Sequence, residues 1–367
     1  MHFGLCLLNY KRCWDDAAFA EQHGFHSAGF IDSPLISGDP FVAMTMAAKT
    51  TSTMRLGTLI NVPSMRSAPA TAAALSTINQ LAPGRIYFGT GTGYTGRLTF
   101  GLKPLPASQV RRHMLEVIDL MAGREVMHND GGTTTAIRLC DTTAVRNNLE
   151  HPVPAYMAAD GPKAMEAMAA DADGWITTLQ PTNVMLNAPT TFETNFAAVH
   201  ASAAAHGRDL DDIYTIWSTA LCVLEPGESA ISPRALRQAG PMAVYAFHCY
   251  ACDPTIAQFL PFAVRERLDI YEKEVLSRLD LPRERFYQAI HDGHLAYLLD
   301  GEAAALTEEI VRGISLTGTA QEIADRLRQL EAAGLKNLSL CIPPDEFRNV
   351  VVDVEEQVMP LMAPAVA

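Results

Sequence analysis

The stretch Gly89-Thr90-Gly91-Thr92-Gly93-Tyr94-Thr95-Gly96 follows a short apolar run and decides between two parallel α/β folds. Its Gly91-x-Gly93-x-x-Gly96 spacing matches the fingerprint of a doubly wound dinucleotide-binding fold. That fingerprint should lie on the first strand and open a helix, whereas this one follows the fourth apolar run and leads into residues 97–104. The context therefore disfavours a dinucleotide-binding fold. The glycines still permit a backbone to approach a flat ring or a phosphate closely, with a merely flexible turn as the alternative.

The apolar runs on either side of this stretch alternate with helical patterns, as in a parallel sheet covered by helices. Eight such runs occur, at residues 3–8, 27–31, 55–61, 85–90, 153–159, 174–178, 214–223 and 337–342. Among the helical stretches, 319–333 is the clearest, because Thr319 and Glu322 are spaced as a capping box. Eight strands in this alternation predict an α/β fold of the (β/α)8 TIM-barrel class with insertions, and an open sheet is the alternative.

Two stretches exceed the length of a minimal barrel. Residues 124–150 are polar and predict a loop or hairpin insertion, and residues 225–316 mix turns with helices and contain most of the late histidines. An insertion after the seventh strand would lie at the carboxyl-terminal mouth of the barrel, where active sites are built. We therefore predict a single domain over residues 1–367 with insertions at about 124–150 and 225–316.

Composition narrows the class of protein. The chain has 367 residues, of which 48% are hydrophobic and 19% charged, as in an ordinary globular enzyme. Its net charge of −13 disfavours nucleic acid as a partner. No stretch approaches the roughly 20 apolar residues of a membrane-spanning helix, so we expect no membrane association. Seven scattered cysteines predict reduced thiols and a cytoplasmic location.

The segment Asp160-Gly161-Pro162-Lys163 follows the fifth apolar run and begins a helical pattern. Proline suits a first helical turn, and the exposed N–H groups of such a turn form an anion site. Lys163 adds a positive charge. Asp160 supports the opposite interpretation, because its carboxylate can cap the helix itself and would repel a phosphate.

Histidines and cysteines in the long insertion raise the question of a metal. His248-Cys249-Tyr250-Ala251-Cys252 offers one CxxC pair with a histidine, but the second pair typical of a structural zinc site is missing. Buried thiols in a helical insertion are the better interpretation, and we predict no metal site. His291 and His294 lie in the same insertion. His294 is the best candidate for a catalytic imidazole, because the insertion would close over the site. The alternative is a structural histidine whose hydrogen bonds are all made within the protein.

The glycine-rich stretch belongs to a longer pattern that resembles the luciferase-like superfamily of flavin- and deazaflavin-dependent oxidoreductases. The matching strings are Arg55-Leu56-Gly57-Thr58, Pro63-x-x-Arg66-x-x-Pro69-Ala70, Leu81-x-x-Gly84-Arg85-x-x-Phe88-Gly89-x-Gly91-x-Gly93, Ala159-x-Gly161-Pro162-Lys163, Ala172-Asp173-Gly174-Trp175, Leu316-Thr317-Gly318-Thr319-Ala320-Gln321-Glu322-Ile323 and Leu330-x-x-Ala333-Gly334. They span most of the chain in the family's order. Asp32-Ser33-Pro34-Leu35 and Asp39-Pro40-Phe41 resemble the methylenetetrahydromethanopterin-reductase-like branch.

The resemblance implies a flavin or deazaflavin ring lying across the barrel mouth. The end of the third strand corresponds to a bulge with a non-proline cis peptide that backs this ring in many relatives. The positions that match contacts with the ring, the ribityl chain and the phosphate are Leu59, Ile60, Asn61, Thr92, Gly93, Arg97, Asp160, Gly161, Lys163 and Thr178.

Two departures from the family's pattern bear on the chemistry. Deazaflavin-dependent relatives often carry an acid where Tyr94 stands and a histidine where Ser33 stands. A tyrosine can donate a hydrogen bond or a proton, but its ordinary pKa near 10 makes it a weak acid. We expect Tyr94, Ser33 and His294 to be the catalytic residues.

These departures lead to a functional prediction. The sequence favours an FMN-dependent monooxygenase that oxidises a small organic substrate with O2 and receives reduced FMN from a partner flavin reductase. The alternative is a deazaflavin (F420)-dependent reductase or dehydrogenase, and a second alternative is a flavin-binding barrel without turnover. The cofactor carries the redox chemistry in either enzyme, while the protein orients it and excludes water. Relatives commonly dimerise, so we also expect a homodimer.

Overall fold

The computed structural model describes residues 1–140, 150–178, 192–209, 211 and 213–363. Within these residues, eight parallel strands close into a barrel in the order β1-β8-β7-β6-β5-β4-β3-β2. The strands are β1 (His2–Leu7), β2 (Ser27–Phe30), β3 (Arg55–Thr58), β4 (Ile86–Thr90), β5 (Ala155–Ala158), β6 (Gly174–Thr177), β7 (Tyr214–Thr219) and β8 (Asn337–Cys341). The predicted (β/α)8 barrel is therefore confirmed, and the open sheet is excluded.

Helices connect the strands on the outside of the barrel and build the long insertion. The α-helices are Cys13–Gln22, Pro40–Thr50, Ala68–Leu81, Tyr94–Leu98, Ala107–Met121, Pro162–Asp171, Phe192–Ala205, Pro233–Ala243, Tyr245–Cys252, Phe262–Arg265, Leu268–Glu274, Glu302–Ala305, Glu308–Ile314, Ala320–Ala332, Phe347–Asp353 and Met359–Met362. The 3-10 helices are Pro254–Phe259, Leu276–Arg278, Arg283–Gln288 and Pro344–Glu346, and Val354–Val358 is a π-helix. None of the helices in the described ranges combines the length and apolar character that a bilayer crossing requires.

The capping box before helix Ala320–Ala332 is confirmed. The Thr319 hydroxyl accepts from the Glu322 backbone N–H, and the Glu322 carboxylate accepts from the Thr319 backbone N–H at 2.7 Å. Two backbone donors of the first turn are thus satisfied by reciprocal contacts. Ile323, Leu327 and Leu330 then face the core at helical spacing.

The seventh apolar run is shorter in the barrel than the sequence indicates. Residues 214–223 divide into β7 and a separate strand, Leu221–Val223, which pairs in parallel with Leu316–Gly318 outside the barrel. Ala220 lies between them, and its carbonyl accepts from the Leu316 backbone N–H at 3.0 Å. The prediction of one strand over 214–223 was wrong because both segments are buried, so apolar composition continues across the break.

The two predicted insertions contain the expected kinds of structure. Val126–Asp130 and Thr133–Ile137 form an antiparallel hairpin, closed by Gly131 and Gly132 with φ of 55° and 90°. Two positive φ values in a two-residue turn are the geometry that glycine supplies without strain. Residues 141–149 of this insertion lie outside the described residues. The 225–316 segment folds mainly as short helices, and the single-domain boundary over 1–367 stays a prediction.

The core has an outer and an inner part. Side chains alternate along β1, so that Leu5 and Leu7 pack with the outer helices whereas Cys6 faces the barrel interior. The inner apolar cluster joins Cys6 and Leu59 of the barrel to Met242 and Phe247 of the long insertion. The insertion therefore packs onto the interior of the barrel, and this contact positions the site.

Candidate functional site

A cavity of about 400 Å³ lies where the barrel strands end and the long insertion begins to cover them. Its walls come from the segments directly after β2, β3, β4, β5 and β6, together with insertion residues such as Met242, Tyr245 and Leu295. The carboxyl ends of parallel strands meet at the same mouth of a barrel, where ligands bind. Its volume falls within the usual range of small-molecule pockets, roughly 300–1,000 Å³.

Most of the residues singled out from the sequence line this cavity. They are Ser33, Leu59, Ile60, Thr92, Gly93, Tyr94, Asp160, Gly161, Thr178 and His294. Asn61, Arg97 and Lys163 are not among the lining residues. The structure thus brings together residues from six separate segments of the chain, and the role of each one stays a prediction.

The end of β3 forms one wall of the cavity and contains a cis peptide bond between Leu59 and Ile60, as the family resemblance implies. Asn61 follows it and is fully buried. Its side-chain Nδ2 donates to Asp32 Oδ2 at 2.8 Å, and the Val62 backbone N–H donates to the same oxygen at 3.1 Å. Asn61 therefore supports the wall from behind, through Asp32.

Asp32 is a cavity residue that the sequence analysis did not single out as part of the site. Asp32 is 7% exposed and lines the cavity. Burial raises the pKa of this carboxyl, and the two hydrogen bonds from Asn61 and Val62 act in the opposite direction. The resemblance at Asp32-Ser33-Pro34-Leu35 contains the signal that points to Asp32.

The glycines after β4 let this loop pack tightly against the end of β3. A Cβ on Gly91 would lie 2.2 Å from Ile60 Cδ1 and 2.8 Å from Ala158 Cβ. A Cβ on Gly93, whose φ is +69°, would lie 2.4 Å from Val62 Cγ1. Side chains at these two positions would push the loop away from the wall. A flexible turn does not describe this loop, because its glycines are required by close packing.

The expectation that no helix follows this glycine-rich stretch was wrong. A short helix, Tyr94–Leu98, begins directly after Gly93. It contains a glycine at position 96, which obscures helical periodicity in the sequence. The closed barrel nevertheless excludes the dinucleotide-binding fold.

Tyr94 opens that helix and contributes its side chain to the cavity wall. Its ring packs edge-on against Tyr245 at 6.3 Å between centroids. Burial raises the pKa of the Tyr94 phenol above its usual range, and a hydrogen bond with the Cys249 thiol adds to the increase. Tyr94 is therefore suited to hydrogen bonding and poorly suited to giving up its proton.

Asp160 does not cap the helix that follows it, contrary to the capping interpretation. Its carboxylate accepts from Thr177 Oγ1 at 2.7 Å and from Thr178 Oγ1 at 3.0 Å. Burial raises the pKa of Asp160 against these hydrogen bonds. The helix Pro162–Asp171 follows Gly161, and no side chain of the described residues caps it. Its first turn therefore faces the cavity edge at Gly161 with backbone donors available to an anion.

Two cations expected near a phosphate lie apart from the cavity. Arg97 Nε donates to the Lys103 backbone carbonyl at 2.6 Å, so this guanidinium is used within its own loop. Lys163 is exposed at the surface of its helix. The family resemblance implied both assignments, and they stay predictions, because a match along the chain does not fix the direction of a long side chain.

His294 lies in the cavity wall and belongs to a group of three buried histidines. Its ring centroid is 5.6 Å from that of His291 and 6.3 Å from that of His248. His248 Nε2 lies 2.6 Å from Oε1 of Glu302, a carboxylate with no exposed surface. Burial lowers the pKa of His294 well below the usual value, and the neighbouring imidazoles lower it further.

The cysteine pair beside these histidines is held apart from the solvent. Cys249 is buried and Cys252 is half-buried, and burial raises the pKa of both thiols to about 12. In the part of the chain that the structure describes, no group of three or more His, Cys, Asp or Glu side chains is arranged to hold a metal ion. Cys6, Cys341 and Ser218 also line the cavity without having been expected there. Their positions depend on strand register, which the sequence pattern does not give.

Similar proteins bear on the nature of the cofactor. The chain is 28% identical over 208 residues to 5,10-methylenetetrahydromethanopterin reductase of Methanolobus tindarius, covering 54% of this chain and 57% of that protein. It is 24% identical over 335 residues to the reductase of the same name from Archaeoglobus fulgidus, covering 90% of each chain. The solved structure of the coenzyme F420 dependent tetrahydromethanopterin reductase from Methanopyrus kandleri matches with a TM-score of 0.68, 21% identity and 99% coverage of both chains.

These findings correct the functional prediction. A solved F420-dependent secondary alcohol dehydrogenase matches with a TM-score of 0.68, whereas an FMN-bound Baeyer-Villiger monooxygenase matches with 0.60 at 12% identity. The favoured FMN-dependent monooxygenase was wrong, because the relatives that resemble this chain more strongly are reductases and F420-dependent enzymes. Sequence reasoning gave too much weight to the replacements at Tyr94 and Ser33.

The family and the general enzyme class agree with the sequence prediction. The family described as luciferase-like monooxygenase matches residues 8–337, which is most of the chain. The prediction of an oxidoreductase enzyme on a TIM barrel is confirmed. The chain belongs to the luciferase-like monooxygenase family.

Proposed function

We propose that this protein is a deazaflavin (F420)-dependent reductase or dehydrogenase that transfers a hydride between the cofactor and a small organic substrate. The observation that carries the proposal is the match to the A. fulgidus reductase over 90% of both chains. The reductase structure from M. kandleri, described as F420 dependent, supports the choice of cofactor through its coverage of 99% of this chain.

The cavity offers features that fit a flat ring with a phosphate-bearing tail. Ile60 and Gly93 lie on the wall formed by the end of β3 and the glycine-rich loop. Asn61 Oδ1 behind this wall is buried and has no hydrogen-bond partner among the described residues. At the other edge, Gly161 precedes the helix Pro162–Asp171, which has no side-chain cap, and Thr178 also lines the cavity. An uncapped helix start favours an anion such as a phosphate.

The protein's own residues would bind and orient the reacting groups. The cofactor, when bound, donates or accepts a hydride. Ile60 and Gly93 would hold the ring, and the backbone N–H groups at the N-terminus of helix Pro162–Asp171, beside Gly161, would hold the phosphate. Met242, Tyr245 and Leu295 of the insertion cover the cavity, so that water is excluded from the reacting atoms. Tyr94 would hydrogen-bond the substrate or the ring edge and thereby fix its orientation.

The deciding experiment compares two cofactors on the same purified protein. We expect reduced and oxidised F420 to bind with dissociation constants in the micromolar range, and FMN to bind much more weakly. Quenching of cofactor fluorescence measures both affinities. A panel of small alcohols, carbonyl compounds and cyclic imines is then screened for bleaching or recovery of F420 absorbance. Binding of FMN alone, with oxygen uptake when it is reduced, would overturn the proposal.

Two further expectations belong with this function. A small-molecule substrate and a homodimer remain proposals, and light scattering after size-exclusion chromatography measures the second. The expected partner flavin reductase was tied to a supply of reduced FMN and forms no part of the present proposal. In the present proposal, F420 is reduced or oxidised by the substrate in the enzyme's own reaction.

A further inference from the structure

We propose that His294 exchanges a proton with the substrate, and that the buried pair His248 and Glu302 positions this imidazole and balances its charge. The inference rests on the proposed function. Hydride transfer from a carbon bearing an O–H or N–H group forms a double bond to that oxygen or nitrogen. The hydride leaves with its electron pair to the oxidised deazaflavin, and the O–H or N–H proton must go to a base. The reverse reaction returns the hydride and the proton to the substrate.

His294 is placed for this role. Among the described residues that line the cavity, it is the one imidazole. Its Nδ1 is buried and has no hydrogen-bond partner among the described residues. A buried, unpartnered ring nitrogen is energetically unfavourable, so its retention beside a ligand cavity needs a reason. Burial lowers the pKa of His294, so its imidazole is neutral near pH 7, and a proton that it accepts must be stabilised by neighbouring groups.

The other cavity groups are less suitable for proton transfer. Asp32 Oδ2 is already occupied by two donors that hold the end of β3. The Tyr94 phenol has a raised pKa and is hydrogen-bonded to a thiol. A serine hydroxyl, which is what Ser33 supplies, is a poor base without an activating partner. Asp160 also lines the cavity, but its oxygens accept from the Thr177 and Thr178 hydroxyls. Because Tyr94 and Ser33 replace the usual acid and histidine, the insertion is left as the source of the base.

Glu302 gives the cluster a fixed geometry. His248 Nε2–H donates to its Oε1 at 2.6 Å, and the Leu299 backbone N–H donates to its Oε2 at 2.7 Å. Tyr271 donates a longer bond of 3.4 Å to Oε1. With Nε2 committed, His248 presents its other nitrogen, Nδ1, which is also without a partner among the described residues. A positive charge formed on His294 therefore lies next to an imidazole that is backed by a buried carboxylate.

His291 supplies a matched control within the same cluster. It is buried to the same extent as His294, each being 6% exposed, but it does not line the cavity. Its Nδ1 lies 2.9 Å from the Tyr287 backbone carbonyl. His291→Gln therefore changes an equally buried imidazole of the same cluster that does not reach the cavity.

The first test compares His294→Gln with His291→Gln in the presence of F420 and a substrate. We expect the rate of the hydride step to fall by about 10²- to 10⁴-fold in His294→Gln, the usual contribution of a general acid or base. F420 affinity and the melting temperature should stay close to those of His291→Gln. Equal rates in the two variants would overturn the proposal.

A second variant covers the case in which His294→Gln folds poorly. His294→Ala opens space beside the cavity, and millimolar imidazole added to the solution should restore part of its rate. A small base restores a lost proton transfer but does not restore lost packing. Absence of rescue in a variant that is folded and binds F420 would count against His294 as the base.

The role of Glu302 is tested on the ligand-free protein. We expect the ring of His294, followed by NMR, to titrate at lower pH in Glu302→Gln than in the wild type, because the carboxylate that favours the protonated form is gone. With substrate, kcat should fall while KM is retained. An unmoved titration would remove Glu302 from the proposal.

These outcomes separate the two proposals. If F420 fails to bind the wild type, the proposed function is lost, and the NMR titration still tests the cluster. If F420 binds and His294→Gln turns over normally, the inference alone is lost.

Discussion

Gly91→Ala probes the contact between the glycine-rich loop and the end of β3. The new Cβ would overlap Ile60 Cδ1 at 2.2 Å and Ala158 Cβ at 2.8 Å. The end of the Ile60 side chain can rotate away, but the Ala158 Cβ is attached to a barrel strand and moves only with the backbone. Overpacking of this kind costs about 1–3 kcal/mol of unfolding free energy. Because Ile60 lines the cavity, F420 affinity should fall as well.

Two further variants sharpen this prediction. Adding Ile60→Val removes the overlapping Cδ1, so the double variant should recover part of the lost stability, and the coupling between the sites should be about 0.5–3 kcal/mol. Gly161→Ala is the control, because among the described residues no atom lies within 4 Å of its ideal Cβ. Its unfolding free energy should change by less than about 1 kcal/mol. Urea unfolding measures five proteins: the wild type, Gly91→Ala, Ile60→Val, the double variant and Gly161→Ala. A Gly91→Ala protein as stable as the wild type would refute the packing argument.

Three other predictions concern stability and turnover. Burial, the largest cause, lowers the pKa of His113 and His291 to about 4. Since the unfolded state then binds protons more readily, the unfolding free energy should decrease as the pH falls from about 6.5 to about 4, by up to about 1.4 kcal/mol per pH unit and per histidine. Urea unfolding at several pH values measures this slope, and a flat dependence would contradict it. Thr319→Ala removes one half of the capping box and should lower the unfolding free energy by about 1 kcal/mol, whereas Thr77→Ala, on an exposed helix face, should change it much less. Tyr94→Phe should raise the KM for substrate by roughly 2- to 10-fold, the value of one hydrogen bond, with a smaller loss of kcat than His294→Gln, and steady-state kinetics with F420 tests this. A kcat as low as that of His294→Gln would make Tyr94 the proton donor.

The barrel could be predicted from the sequence because its strands are short apolar runs separated by helical patterns. That signal is local. It does not show where a strand ends if the next residues are also buried and apolar, as at Ala220 between β7 and Leu221–Val223. It also fails at helix Tyr94–Leu98, where an internal glycine hides the helical period.

The site was predictable to the extent that it consists of strand ends. Tyr94, Asp160 and Thr178 directly follow or lie close to strands, and the structure brings them to one cavity. Arg97 and Lys163 could not be placed, because long side chains choose their direction from tertiary contacts. The hydrogen bond between His248 and Glu302 could not be predicted from the sequence either, because these residues are 54 positions apart and meet only when the insertion folds.

The shared apolar cluster of the barrel interior and the long insertion has a consequence for how such enzymes diversify. In many barrels, specificity changes by exchanging surface loops, because the loops contribute little to the core. Here Phe247 and Tyr271 of the insertion are as fully buried as the barrel residue Trp217. A cassette swap of residues 225–316 would therefore uncover the interior face of the barrel. New substrate preferences in this lineage should arise instead by single replacements on the cavity surface, at positions such as Met242 and Leu295, which leave the packing beneath them intact.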